Sequence, residues 1–259
     1  MSALAAGLSD TWTLTVRMLR HNIRSLDTIM TVVGMPLMIL LAFVLVLGGA
    51  MDTGPIRYVD FVVPVVLMSA IASGVSYTAF RVNQDLRDGM HARFRTMPVA
   101  RSAMVGGHVW ASVIVNGASV AVLFGCAWAI GYRPHATWAG WGVTLALVLA
   151  ALVAFSVIGV AFGLAAKTVE GSTLFSYPLI ALLFVSSGFA PTSTMPAALR
   201  VFADHQPMTA IIDAIRAAQL GSVNARAAVT ALAWLAAATI AFALMAAAAS
   251  RATAARPPT

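Results

Sequence analysis

Charge is scarce in this chain, and so are most residues that chemistry needs. Only 10% of its 259 residues are Asp, Glu, Lys or Arg, while 60% are hydrophobic. Soluble domains carry about a quarter charged residues, so an ordinary soluble domain is excluded. The single cysteine, Cys126, lies inside an apolar run and reads as a small hydrophobe. One thiol makes neither an internal disulfide nor a metal site. The single lysine, Lys167, sits in Gly163-Leu164-Ala165-Ala166-Lys167-Thr168. A phosphate-binding loop needs a glycine before its lysine, and Ala166 stands there, so the chain has no nucleotide-hydrolysing site of that type. No basic residue precedes Arg17 and no early apolar core ends at a small-residue cleavage site, so no secretory leader is expected.

Ionisable groups are also missing from the middle of the apolar runs. Asp60 and Glu170 fall at run ends, where capping or snorkelling accounts for them. A proton-coupled transporter needs a buried ionisable relay, so that class is disfavoured. Gly74-Val75-Ser76 offers a GxS, but a serine nucleophile needs a base within hydrogen-bond reach. His21, His91, His108, His135 and His205 all fall in loops or near run ends, so Ser76 reads as a packing hydroxyl. The same scatter gives no metal site and predicts that each histidine is solvated or interfacial.

What is present is apolar length. Runs at 28–49, 61–80, 104–130, 138–166, 172–189 and 225–249 are each near the roughly 20 residues that a hydrocarbon core demands. Pro36, Pro64 and Pro178 fall within them, where neighbouring helices can satisfy the freed carbonyls. Gly159 and Gly163 form a GxxxG surface for close helix packing. Before the first run, Leu8, Trp12, Val16, Leu19, Ile23 and Leu26 line one helical face, with Arg17, Arg20 and Arg24 opposite. That pattern suits a helix lying in the membrane interface, or one packing on a partner. Between the fifth and sixth runs, residues 196–202 and 208–220 are short periodic pieces opened by Pro196 and Pro207, the second closed by Gly221. They fit two helices dipping into the outer leaflet as well as a surface hairpin.

Basic residues at run ends orient the chain. Arg17, Arg20, Arg24, Arg81, Arg87, Arg93, Arg95, Arg101, Lys167, Arg251 and Arg256 fall on one side; Arg57, Arg133, Arg200, Arg216 and Arg226 fall on the other. The richer side is the cytoplasmic one, which predicts both termini there. Trp128, Tyr132, Trp138 and Trp141 then form an aromatic belt at the outer surface. Arginines placed this way meet lipid headgroups, and no nucleic acid partner is expected.

The segment 81–101 is the most charged part of the chain, with Asp85 and Asp88 against five arginines. Leu86, Met90, Phe94 and Met97 share one helical face, with Arg93 at its edge and Arg87, His91 and Arg95 off it; Pro98 stops the helix. An apolar ridge rimmed by arginine suits a groove on a partner, or equally an anionic lipid surface.

At this segment the sequence resembles the membrane subunits of type-2 ABC exporters, in particular the daunorubicin-resistance branch. The matching residues are Asp88-Gly89, Arg93-Phe94-Arg95 and Met97-Pro98-Val99-Ala100-Arg101. Downstream, Gly188-Phe189-Ala190-Pro191, Met195-Pro196 and Gln206-Pro207-Met208-Thr209 look like the segment before that family's last span. Gly107-His108 stands where the family often has a basic residue, and Ala100 replaces its usual serine. Neither departure touches a catalytic role.

The resemblance implies an all-α, six-span permease of the inner membrane, with an interfacial helix in 1–27, a transmembrane domain in 28–250 and a cytoplasmic tail in 251–259. It implies a second permease copy, identical or related, and two cytoplasmic ATPase subunits that bind the ATP and magnesium; no cofactor is expected in this chain, and no catalytic residue. The helix carrying Asp88, Gly89, Met90, Arg93, Phe94, Arg95 and Met97 would couple to the ATPase. The substrate path would run along the second and fifth spans, past Ser69, Ser73, Ser76, Thr173, Phe175, Ser176, Tyr177 and Phe184. Hydroxyls and aromatics without charge suit a hydrophobic or amphipathic drug, antibiotic or lipid-like solute. Polysaccharide or glycolipid export by the same fold, and a membrane scaffold without transport, are the competing expectations.

Overall fold

A computed structural model describes residues 3–50, 56–88, 101–174 and 176–254, and every regular element among them is helical. The chain begins with α1 (Ala3–Arg24) and α2 (Leu26–Ile29). A π-helical segment (Met30–Gly34), α3 (Met35–Leu41) and a second π segment (Ala42–Leu47) complete the first run. Next come α4 (Tyr58–Arg87), α5 (Arg101–Ala129) and α6 (Trp138–Ala165), then the short α7 (Val169–Leu174) and α8 (Tyr177–Phe184). α9 (Ala197–His205), α10 (Pro207–Gln219) and α11 (Ala225–Ala254) close the fold. Among the described residues five stretches are long and apolar enough to cross a membrane: Met30–Leu47, Tyr58–Arg87, Ala103–Ala129, Trp138–Ala165 and Ala225–Arg251.

The expected fifth span is not one continuous helix. α7 has 6 residues and α8 has 8, and Ser176, just before α8, lies in a turn. Pro178 sits in the first turn of α8, where its missing N–H costs nothing, and it biases Tyr177 before it against continuing a helix. The second span, by contrast, runs further than expected, so that Arg81, Asp85 and Arg87 belong to α4 rather than to a loop.

α4 is the central rod. Val62, Val65, Met68, Ala70, Ile71 and Ala72 are fully buried on it, because α6 and α5 pack along it and α10 meets it near its start. Lipid supplies no hydrophobic drive between spans, so close packing and hydrogen bonds must hold them together. The predicted glycine pair does this. A Cβ on Gly163 would lie 2.6 Å from Val82 Cβ and 2.7 Å from Ala79 O, and one on Gly159 would lie 2.9 Å from Thr78 Cβ. α11 lies along the other side of α6.

Pro36 cannot donate to the carbonyl four residues back, which is Val32. Ser119 of α5 donates its hydroxyl to that carbonyl at 2.6 Å. The neighbour thus supplies the bond the proline removes, and the π segments on either side of α3 absorb the altered register.

α1 packs on α5 through Leu14 and Thr15, over Gly106 and Gly107, where a Cβ on Gly107 would meet Leu14 Cβ at 3.0 Å. Leu8, Trp12, Ile23 and Leu26 stay exposed. The apolar face read from the sequence therefore points outward, as an interfacial helix requires, and a second stripe carries the packing.

Two helix ends need a positive φ. Gly131 (φ 104°) and Gly221 (φ 82°) each terminate a helix, with Tyr132 N–H donating to Ala127 O and Ser222 N–H to Ala217 O. The first of these turns carries Tyr132 back into the core, edge-on to Phe124 at 5.6 Å. Tyr132 is thus not part of an aromatic belt; Trp128 and Trp138 remain exposed. Burial pushes the Tyr132 hydroxyl well above the ordinary tyrosine range, with Asp60 adding to the effect.

Candidate functional site

The residues expected to couple to a partner begin at Asp88, whose N–H closes the last turn of α4 on Gln84 O at 2.9 Å. Gly89, Met90, Arg93, Phe94, Arg95 and Met97 lie outside the described residues. What the structure defines is the anchorage from which that segment leaves. Asn83 donates to Gly163 O at 3.0 Å and Ala166 O at 2.8 Å, satisfying two carbonyls at the end of α6. Arg87 donates to Asn83 Oδ1 at 3.2 Å and to the Lys167 carbonyl. The end of α4 is thereby tied to the α6–α7 turn.

The candidate substrate path is only partly assembled. Ser69 and Ser73 turn their hydroxyls onto their own helix, to Val66 O (2.7 Å) and Ser69 O (2.9 Å). Ser76 and Ser176 meet, hydroxyl to hydroxyl, joining α4 to the break between α7 and α8. Ser176 also donates to Thr173 O at 2.6 Å, and Thr173 to Glu170 O at 2.8 Å. Tyr177 and Phe184 are 63% and 52% exposed, on the outside of the single chain. Phe184 stacks on Phe189 with centroids 5.0 Å apart. Phe175 lies outside the described residues. Of the eight residues, the structure joins Ser76 to Ser176 and leaves two aromatics on the surface.

Two polar knots were not foreseen, one at each end of α4. At the N-terminal end Arg216, counted above among the outer-side charges, is 8% exposed. It donates to Phe61 O (3.2 Å), Ser187 O (2.9 Å) and Gly188 O (3.3 Å), pairs with Asp213 Oδ1 at 2.7 Å, and lies 3.9 Å over the Phe61 ring. Ser187 donates to the same Asp213 oxygen at 2.6 Å. Burial lowers the Arg216 pKa, and Asp213 opposes that shift. The fork geometry of arginine allows one side chain to serve three carbonyls and a carboxylate. Asp213 and Arg216, three residues apart in an otherwise apolar helix, were the available sequence signal.

At the C-terminal end, Tyr77 accepts from Thr28 Oγ1 (2.6 Å) and donates to Asn22 Oδ1 (3.0 Å), binding α1 and α2 to α4. Thr78, Ser156 and Asn116 converge on Ser112 Oγ at 2.7, 2.9 and 3.0 Å. His108 Nε2 lies 3.4 Å from Asp85 Oδ2. His108 is only 7% exposed, so the expectation that every histidine is solvated or interfacial is wrong for it. The reason lies in α5: His108, Ser112 and Asn116 recur every four residues and form one polar stripe, facing α4. Among the described residues no three of His, Cys, Asp or Glu gather as a metal site would need.

These features combine an apolar bundle with a tied-down helix end beside a charged segment. Comparison with known proteins agrees with that picture. A family model described as ABC-2 type transporter matches residues 9–220. The daunorubicin resistance ABC transporter permease protein DrrB1 of Streptomyces coeruleorubidus is 28% identical over 229 residues, covering 86% of this chain and 78% of that protein. The probable doxorubicin resistance ABC transporter permease protein DrrC of Mycobacterium tuberculosis is 25% identical over 218 residues, covering 80% of this chain and 75% of that protein.

Proposed function

This chain belongs to the ABC-2 type transporter family, and we propose that it is the membrane-spanning permease of an ATP-driven exporter of hydrophobic or amphipathic compounds. The observation that carries this reading is the family match over 9–220, joined to relatives named for daunorubicin and doxorubicin resistance. The missing phosphate-binding loop around Lys167 fits it, since the ATPase is then a separate subunit.

In this reading six passes cross the cell membrane, the fifth as the broken pair α7 and α8, with both termini in the cytoplasm. Residues 28–250 form the transmembrane domain, and α9 and α10 lie at the opposite surface. Two permease copies meet two ATPase subunits. The segment Asp88–Met97 seats its ridge of Met90, Phe94 and Met97 in an ATPase groove, while Arg93 and Arg95 flank it. Asn83 and Arg87 would make the seat rigid enough to move the spans, because a packed element passes on displacement as a body. The solute passes between the two permeases along α4, α7 and α8, where Ser76 and Ser176 give it hydroxyls and Tyr177 and Phe184 give it aromatic faces.

The test is to replace Met90 and Phe94 by Asp in the full complex. A charge buried in an apolar groove should release the ATPase during purification and abolish drug efflux from cells. Unchanged co-purification and unchanged efflux would overturn the coupling role. A complex that stays intact but alters no drug's accumulation, wild type against deletion, would favour a scaffold. Altered surface glycan with unaltered drug accumulation would favour polysaccharide or glycolipid export.

A further inference from the structure

We propose that Asp85 and His108 form a proton-binding site that links the last turns of α4 to the first turns of α5. The site lies in a cavity of about 20 Å³ lined by Asn22 of α1, Tyr77 and Asp85 of α4, and His108, Ser112 and Asn116 of α5. That volume is enough for one water, which needs about 10–15 Å³. Asn116 Oδ1, buried and without a hydrogen-bond partner among the described residues, offers such a water an acceptor. Gly74 makes room for the amide, because a Cβ there would fall 2.0 Å from Asn116 Oδ1.

The pair stands at ion-pair distance rather than in a formed hydrogen bond. The imidazole nitrogen and carboxylate oxygen are 3.4 Å apart, with side chains 7% and 15% exposed. A carboxylate and an imidazole this close couple their protonation, and the apparent affinity belongs to the pair. The charged groups acting on Asp85 are Arg81 on α4, Asp88 just past its end, and Arg17 and His21 on α1. On α5 the titratable group is His108 itself, and α6 presents only the Ser156 hydroxyl, to Ser112. With the proton bound, the pair draws α4 and α5 together; without it, a carboxylate faces a neutral ring in a nearly dry space.

The position matters because α4 ends and α5 begins on either side of the charged segment. Proton occupancy would therefore set how firmly the two stems of that segment are held. This mechanical consequence rests on the coupling role proposed above; the site itself does not, and its test uses no transport or ATPase readout.

The test is histidine-selective ¹⁵N NMR of the full chain in lipid nanodiscs, with His108→Gln assigning the signal. The His108 resonance should change between protonated and neutral forms within about pH 5–8. Asp85→Asn should lower its proton affinity about tenfold and leave the other histidines unmoved. A His108 signal fixed in one form across that range, or titrating identically in Asp85→Asn, would overturn the site. If Asp85→Asn does not assemble, Asp85→Glu provides the same reading: the carboxylate moves on a longer arm, and an unmoved His108 midpoint refutes the pair.

Discussion

At its N-terminal end α4 is clamped by a guanidinium, whereas at its C-terminal end it is held by hydroxyls, amides and an imidazole. Arg216 directs its donors to the carbonyls of Phe61, Ser187 and Gly188 and to Asp213. The three carbonyls carry no titratable proton, so their part of that clamp is permanent. Tyr77, Asn22, Thr28 and Ser112 make individually modest neutral bonds, and Asp85 with His108 adds a contact whose strength depends on a proton. A rod fixed at one end and adjustable at the other is suited to moving about the fixed end. The glycine seam of Gly159 and Gly163 lies between the two.

The sharpest way to break this contrast is to remove the permanent clamp. Arg216→Met should destabilise the protein by about 3 kcal/mol, because buried carbonyls are left unpaired. Thermal unfolding in detergent reads the loss, and amide exchange should rise first at 185–190. A cost below about 1 kcal/mol would mean that the guanidinium is not what holds this end. Next in size is the seam itself: Gly163→Ala forces a methyl against Val82 and the Ala79 carbonyl. It should cost about 2 kcal/mol, as overpacking does. If stability is unchanged, α6 is free to slide on α4 and the two ends are not rigidly joined. The smallest effect should come from the adjustable end. Tyr77→Phe removes the bonds to Thr28 and Asn22 and should cost about 1 kcal/mol. Its signature is local: proteolysis or exchange of α1 should quicken while the main unfolding transition barely moves. A loss as large as that of Arg216→Met would erase the distinction between the ends.

The parts of this fold that were legible beforehand are those set by local pattern. Apolar runs marked the five long stretches, proline and glycine marked the boundaries of α9 and α10, and the GxxxG pair found its partner helix. The parts that were not legible depend on which side of a helix faces inward. Arg216 and His108 each sit near the end of an apolar run, where a solvated position and a buried one look alike in sequence. Only the helix opposite decides, through Phe61 for the one and Asp85 for the other. Tyr132 was misplaced for a related reason, since a single glycine in the left-handed region reverses the chain's direction. The turn at Ser176 was hinted at by Pro178, but proline within a span commonly bends a helix without ending it.

The loan that Ser119 makes to Val32 has a mechanical corollary. A peptide carbonyl whose usual donor is a proline, and which takes a hydroxyl from an adjacent helix, loses that bond if the two drift apart. The opening segment of the transmembrane region and α5 are therefore fastened at this point, and any rocking of one should carry the other with it, as two planks sharing a single peg.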